Sequence, residues 1–438
     1  MIGTAIESPR LARLVRASED GSGVERAWSE IRSAGLPLVE PIEGRAHEQL
    51  LTFVWRPRRS LRSASVYTPI AELSPDGTAL QPAGSTGAWF RSFRLPASTR
   101  ASYGFAPLRL PALTDPGRAW GRYFHALVPD PANARRVRFG PQLFLSEVAL
   151  GEAGTGPWSA GARPIPGTEE RRRLRSRWLG NSRTVWVALP PRFDPIHSDY
   201  NLLIIFDGPA YQDPIPARRI VTNLVAAGRL DPTVVVLIDN ALGARDRDLS
   251  GNPAFSKFLA TELVPWLADR YHLRSGPATT VLAGSSLGGL AAAHAALQYP
   301  DRFGLVLAQS GAFLAAGARG GGPPTALIDR YAASPRLGLR FYLDAGTHET
   351  IRPPGGTMSL LEGVRRMRDV LRRTGYDLAY REFEGGHDYA CWRETLADGL
   401  LYLLGRPAGK RAGRIRPPPP PGTAQVVRAR PRRSRRSR

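Results

Sequence analysis

Residues 279–297 read Thr-Thr-Val-Leu-Ala-Gly-Ser-Ser-Leu-Gly-Gly-Leu-Ala-Ala-Ala-His-Ala-Ala-Leu. Few stretches restrict a fold as tightly. The run before Gly284 has the composition of a buried strand, and the run after Gly289 is a helix of small residues. Only a sharp turn fits between them. A strand, a turn carrying one serine and a close-packed helix form the context that gives a G-x-S-x-G motif its meaning, since the five-residue pattern alone is common. Gly284 and Gly288 are expected to permit the turn and to let the helix approach the sheet. Ser286 is then pushed out over the carboxyl end of the sheet, with the N–H of Leu287 aimed at any carbonyl it attacks.

Near-continuous apolar runs alternate with helical patterns on both sides of this motif. Strands are expected at 183–189, 200–206, 233–238, 305–308, 339–343 and 378–383, and crossover helices at 253–271, 290–298 and 363–374, with a closing helix at 392–404. Strands apolar on both faces imply a mostly parallel sheet covered on both sides. Upstream, Leu50–Trp55, Ser65–Tyr67, Ala88–Phe93 and Ala101–Phe105 are short β-rich runs separated by Pro, Gly and Ser, the texture of a β-sandwich. The expected organisation is a helical lead-in (1–44), a small N-terminal β-sandwich domain (45–160, loop-rich beyond 107), an α/β-hydrolase fold with a mostly parallel central sheet (161–405), and a basic tail (406–438).

In that fold the nucleophile, acid and histidine follow in chain order. Of seven histidines, His294, His348 and His387 lie beyond Ser286. His294 falls inside the post-turn helix and reads as a packed residue. His387 sits in Glu-Gly-Gly-His-Asp directly after the last strand, where a base reaches back over the sheet to take the serine proton. Two acids fit: Asp344 at the end of strand 339–343, and Glu349 farther out on the following loop, which is favoured. Asp388 is a third choice, and a Ser–His dyad without an acid remains open. The oxyanion hole is expected from the N–H groups of Leu287 and of Gly208 in Asp207-Gly-Pro209, because Pro209 has none. No H-E-x-x-H or Cys/His cluster is present, so neither metal nor cofactor is expected.

Taken together, Gly284-Ser-Ser-Leu-Gly-Gly289, Asp301-Arg-Phe-Gly-Leu-Val-Leu-Ala-Gln-Ser-Gly311 and Gly385-Gly-His-Asp-Tyr-Ala-Cys-Trp392 resemble the esterase D family, more narrowly the enterochelin (ferric enterobactin) esterases. The likeness extends to Leu179–Trp186, Leu237–Asp239 and Arg245–Asn252, and Leu51–Arg56 with Asp130–Asn133 resembles the N-terminal domain of those esterases. The resemblance implies a cytoplasmic serine esterase that opens the trilactone ring of a ferric catecholate siderophore. Such a substrate, anionic and aromatic, calls for arginine and aromatic side chains, and Arg245, Trp392 and Tyr211 are the substrate-binding candidates. Family members usually carry an aromatic residue soon after Asp-Gly and tryptophans after Gln-Ser-Gly. Here Tyr211 stands in for the first, and 315–325 is Gly-, Ala- and Pro-rich instead.

Charge adds a separate question. The formal net charge is +22, and about half of it comes from residues 405–438, which hold twelve basic residues and no acidic one. Such a segment has too little apolar surface to fold. Nucleic acid is not expected as a partner except through this arm. No apolar run approaches a membrane span, and the first residues lack the apolar core of a secretory signal. The alternatives are a general carboxylesterase or acyltransferase of the same superfamily, acting on feruloyl, acetyl-xylan or mycolyl esters, and a binding protein built on an inactive hydrolase scaffold.

Overall fold

Alternating large apolar residues in the first third of the chain assemble two antiparallel sheets. The computed structural model describes residues 6–20, 23–115, 117–140, 142–153, 156–161, 167–196, 200–273, 276–315, 322–352 and 356–406. Strands β1 (Leu38–Pro41), β2 (Glu48–Trp55), β3 (Ser65–Tyr67), β4 (Gln81–Pro82), β5 (Trp89–Pro96), β6 (Arg100–Ala106), β7 (Arg136–Arg138) and β8 (Phe144–Ala149) assort as β1-β2-β5-β4 and β3-β6-β8-β7. Period-two alternation turns Phe53 and Trp55 of β2 toward Tyr103 and Phe105 of β6. Their rings meet at 4.6 Å (Phe53–Tyr103) and, nearly parallel, at 5.3 Å (Trp55–Phe105).

Helices close the outer faces of this sandwich. Pro9–Glu19 and Val24–Ala34 lay Leu11, Leu14, Trp28 and Ile31 on Val54 and Phe90, and Gly117–Ala126 lays Tyr123 on Tyr67 and Leu145. Two features differ from the sequence reading. Leu38–Pro41, placed in the helical lead-in, is a strand paired with β2. The segment beyond 107, read as loop, contains a helix and two strands. Its apolar stripe Trp120, Tyr123, Phe124 and Leu127 has helical spacing, but Gly117 and Gly121 weaken the pattern.

A third, eight-stranded sheet runs β16-β15-β14-β13-β11-β12-β10-β9, from β9 (Glu169–Ser176), β10 (Asn181–Ala188), β11 (Asn201–Ile205), β12 (Thr233–Ile238), β13 (Thr280–Ser285), β14 (Leu305–Gln309), β15 (Arg340–Gly346) and β16 (Asp377–Phe383). The six strands from β11 onward are parallel, while β9 and β10 pair antiparallel at one edge. Every residue of β11, β12, β13 and β14 is buried, between one apolar core holding Phe255, Leu290 and Val364 and another holding Ile220, Leu396 and Leu400. This is an α/β-hydrolase fold behind a small antiparallel domain. β9 is not among the strands expected from the sequence. Its sequence Glu-Glu-Arg-Arg-Arg-Leu-Arg-Ser suits an edge strand, where side chains stay in water and charge discourages further pairing.

Strand order fixes where a site belongs. The chain steps from β11 out to β12, then returns to place β13 on the other side of β11. In open α/β sheets the crevice for ligands opens at the carboxyl ends flanking such a reversal. Asp207-Gly208 follows β11 there, and Ser286 follows β13.

Candidate active site

Ser286 occupies φ 56°, ψ −122°, between β13 and the helix Leu287–Gln298. This is a conformation that costs a non-glycine residue on the order of 1–3 kcal/mol and persists only when its surroundings over-determine it. They do so here. The Ser286 N–H donates to the Gln309 carbonyl at 2.9 Å, and its own carbonyl accepts from Leu290 at 3.2 Å and Ala312 at 2.9 Å. The sequence reading assigned the strained backbone to the glycines, yet neither Gly284 nor Gly288 has a positive φ. Their role is close approach: a Cβ on Gly284 would lie 2.7 Å from the Gly288 carbonyl carbon.

His387 lies half-buried between β16 and the helix Tyr389–Leu404. Its Nδ1 meets Glu349 Oε1 at 2.9 Å, which leaves Nε2 as the nitrogen free to exchange a proton with substrate or serine. The Glu349 side chain is 1% exposed, and its other oxygen accepts from the Gly346 N–H at 3.2 Å. In this structure Ser286 makes no hydrogen bond to His387 among the described residues. The link between them is a chain of contacts. Gln309 takes the Ser286 amide, and the next residue, Ser310, accepts from Trp392 Nε1 at 2.9 Å. The indole then stands perpendicular to the imidazole with ring centres 4.6 Å apart.

The two remaining acids are engaged elsewhere. Asp344 is fully buried, with Oδ1 on the Ser310 amide at 3.0 Å and Oδ2 without a hydrogen-bond partner among the described residues. Burial pushes its pKa up to about 7. Asp388 is also fully buried and caps the last helix through Ala390 N–H at 2.9 Å. His294 is a packed residue, bonded through Nδ1 to Ser256 at 3.0 Å, and burial lowers its pKa to about 4.

Leu287 and Gly208 each open a helix at the ends of neighbouring strands, where first-turn N–H groups have no intrahelical partner. Asp207, just before Gly208, is left-handed at φ 56° and is held by Arg245 through two bonds of 2.7 Å and by Asn240 at 2.6 Å. A Cβ on Gly208 would come within 2.9 Å of the Trp186 ring.

Two of the substrate-binding candidates are buried. Tyr211 is fully buried, with its hydroxyl on Gln309 Oε1 at 2.9 Å, and so faces the core rather than a ligand. Trp392 is 4% exposed and forms the floor under His387. Arg245 is 40% exposed beside the turn that follows β11, but its guanidinium is already paired with Asp207. Sequence reasoning missed Tyr389. Its half-buried ring lies between Trp392 (5.6 Å) and Phe139 of the N-terminal domain (5.3 Å), and its place directly after His-Asp was the available signal.

Comparison with known proteins bears on this arrangement. The pattern of the esterase family described as "Putative esterase" matches residues 176–403, and that of the enterochelin esterase N-terminal domain matches residues 50–159. The iron(III) enterobactin esterase of Dickeya dadantii is 28% identical over 424 residues, covering 88% of this chain and 94% of its own length. The iron(III) enterobactin esterase of Escherichia coli K12 is 29% identical, covering 74% and 81%. Among solved structures, the ferric enterobactin esterase of Salmonella typhimurium superposes with TM-score 0.73 at 25% identity, over 86% of this chain and 98% of that one. The Shigella flexneri enterobactin esterase crystallised in the presence of enterobactin gives 0.70 at 26% identity, over 86% and 97%.

Proposed function

The chain belongs to the esterase family, in its enterochelin esterase branch, and on that premise we propose that it hydrolyses the trilactone esters of a ferric catecholate siderophore, with Ser286 as nucleophile, His387 as base and Glu349 as the orienting acid. The observation that carries the residue assignment is the 2.9 Å contact of Glu349 with His387 Nδ1, in a loop that follows the last strand of a sheet carrying a strained serine.

In this reading Ser286 Oγ adds to an ester carbonyl while Nε2 of His387 takes its proton. Glu349 steadies the imidazolium without accepting the proton itself. The oxyanion is met by the N–H groups of Leu287 and Gly208, each worth about 3–4 kcal/mol of barrier. Collapse of the adduct breaks the C–O bond, and the imidazolium protonates the departing alcohol. Water then repeats the sequence on the acyl-enzyme, returning Ser286 and releasing the acid. The Ser286–His387 bond is expected to close when substrate enters, since such bonds are commonly loose in free enzymes.

Arg245, held flat by Asp207, and Tyr389 with Phe139 are the groups proposed to meet an anionic, aromatic ligand at the mouth. The reaction is placed in the cytoplasm as part of the same proposal; no helix of the described residues is long and apolar enough to cross a membrane. The basic tail beyond Arg406 lies outside the described residues. Incubating the protein with ferric and iron-free trilactone, and with feruloyl esters, tests the reading by chromatography of the products. Ring-opened catecholate products from the trilactone are expected. Rapid turnover of feruloyl esters with an untouched trilactone would overturn the substrate class.

A further inference from the structure

One edge of β6 is shared between two elements. Along a strand, residues two apart present their N–H and C=O groups to the same side. Gly104 and Ala106 pair with Tyr67 and Ser65 of β3, which is three residues long and ends there. The same edge continues through Ser102 and Arg100, and there the segment carrying His387 takes over. The Arg100 N–H donates to the Glu384 carbonyl at 3.0 Å, Cys391 Sγ donates to the Arg100 carbonyl at 3.3 Å, and the Ser102 N–H donates to the Asp388 carboxylate. The turn bearing His387 is thus fastened at both ends to a strand of the other domain.

Close approach requires the two glycines before the histidine. A Cβ at Gly385 would lie 2.9 Å from the Arg100 carbonyl oxygen, and one at Gly386 would lie 2.2 Å from that of Pro69. Glycine leaves a turn free to wander unless something holds it. Behind the seam, Glu147 of β8 bonds Arg100 at 2.5 Å and Arg393 of the last helix at 2.6 Å, with all three side chains at most 17% exposed. Breaking one partner of such a buried pairing is costly, because it leaves charge uncompensated.

We infer that the β-sandwich is a working part of the hydrolytic site: the Arg100–Ser102 edge of β6 positions the His387 imidazole, and Asp388 is the positioning residue that joins the two. This rests on His387 acting as the base. Asp388 touches no reacting atom; it fixes the turn by accepting from Ser102 on one side and Ala390 on the other. Misplacing a catalytic group by about 1 Å costs roughly a hundredfold in rate.

The test uses the full-length protein and p-nitrophenyl butyrate, a small ester with little surface to contact the sandwich. Thermal midpoints accompany each variant. Asp388→Asn, which keeps one acceptor oxygen but not two, is expected to lower kcat about 10–100-fold with KM nearly unchanged. Glu147→Gln changes no residue of the histidine turn but loosens the seam behind it, and is expected to lower kcat in the same way by a smaller factor. Wild-type kcat in folded Asp388→Asn and Glu147→Gln would overturn the inference, as would a loss confined to KM. If Asp388→Asn does not fold, Glu147→Gln and Gly386→Ala decide the matter by the same kcat criterion. Ser286→Ala and His387→Ala are run alongside. Retained turnover there overturns the underlying reading, whereas loss there with unchanged Asp388→Asn and Glu147→Gln overturns the positioning role alone.

Discussion

Asp344 and Glu349 are five residues apart on one strand and its loop, and they differ in what they face. Glu349 reaches the imidazole, whereas Asp344 points to the Ser310 amide in the interior. Glu349→Gln should therefore lower kcat by roughly 10³–10⁴, by analogy with the acid of other Ser-His triads, while Asp344→Asn leaves it little changed. Steady-state kinetics on one ester decides between them. Asp344 makes a second prediction. Its folded pKa of about 7 lies above the ordinary 3.8, so between these values the folded state binds the extra proton and stability falls as pH rises. Asp344→Asn should flatten that fall across about pH 4–7, an effect of a few kcal/mol at most at about 1.4 kcal/mol per pKa unit. Denaturant melts at pH 4.5 and 7.5 measure it.

At the scale of elements, the turn after β13 depends on two chain segments touching without side chains. Gly284→Ala places a methyl 2.7 Å from the backbone of Gly288, so the helix must lift from the strand or Ser286 must relax. A loss of about 1–3 kcal/mol is expected, with a lowered thermal midpoint, together with a larger fall in kcat than the lost stability explains. The parallel sheet, the serine turn and the histidine loop were legible in the sequence because they rest on local pattern: apolar runs, glycines at fixed spacing, and chain order. Other features needed contacts between distant residues. Nothing local tells that Tyr211 turns inward to Gln309, that Arg245 pairs with Asp207, or that Asp248 takes the buried Arg183 at 2.9 Å. β9 was hidden for the opposite reason, since an edge strand owes its place to backbone pairing with β10 and carries no apolar face.

For the whole molecule, the two domains meet where the histidine turn lies on β6, and the chain as a whole carries a formal net charge of +22. Arg245 is paired with Asp207, so long-range attraction of an anionic ligand falls to the summed field of the chain, and Arg245 acts on the ligand only at contact. The kcat/KM for ferric trilactone should accordingly drop several-fold between about 0.01 and 0.15 M salt, while that for a neutral ester stays nearly flat, as screening over about 30 to 8 Å dictates. The most direct trial of the central claim is covalent. An aryl phosphonofluoridate is reacted with the protein, and the modified peptide is located by mass spectrometry. A single adduct on the peptide carrying Ser286, strongly slowed in His387→Ala and in Glu349→Gln, is the predicted result. An adduct formed elsewhere, or one formed at wild-type rate without His387, would contradict it.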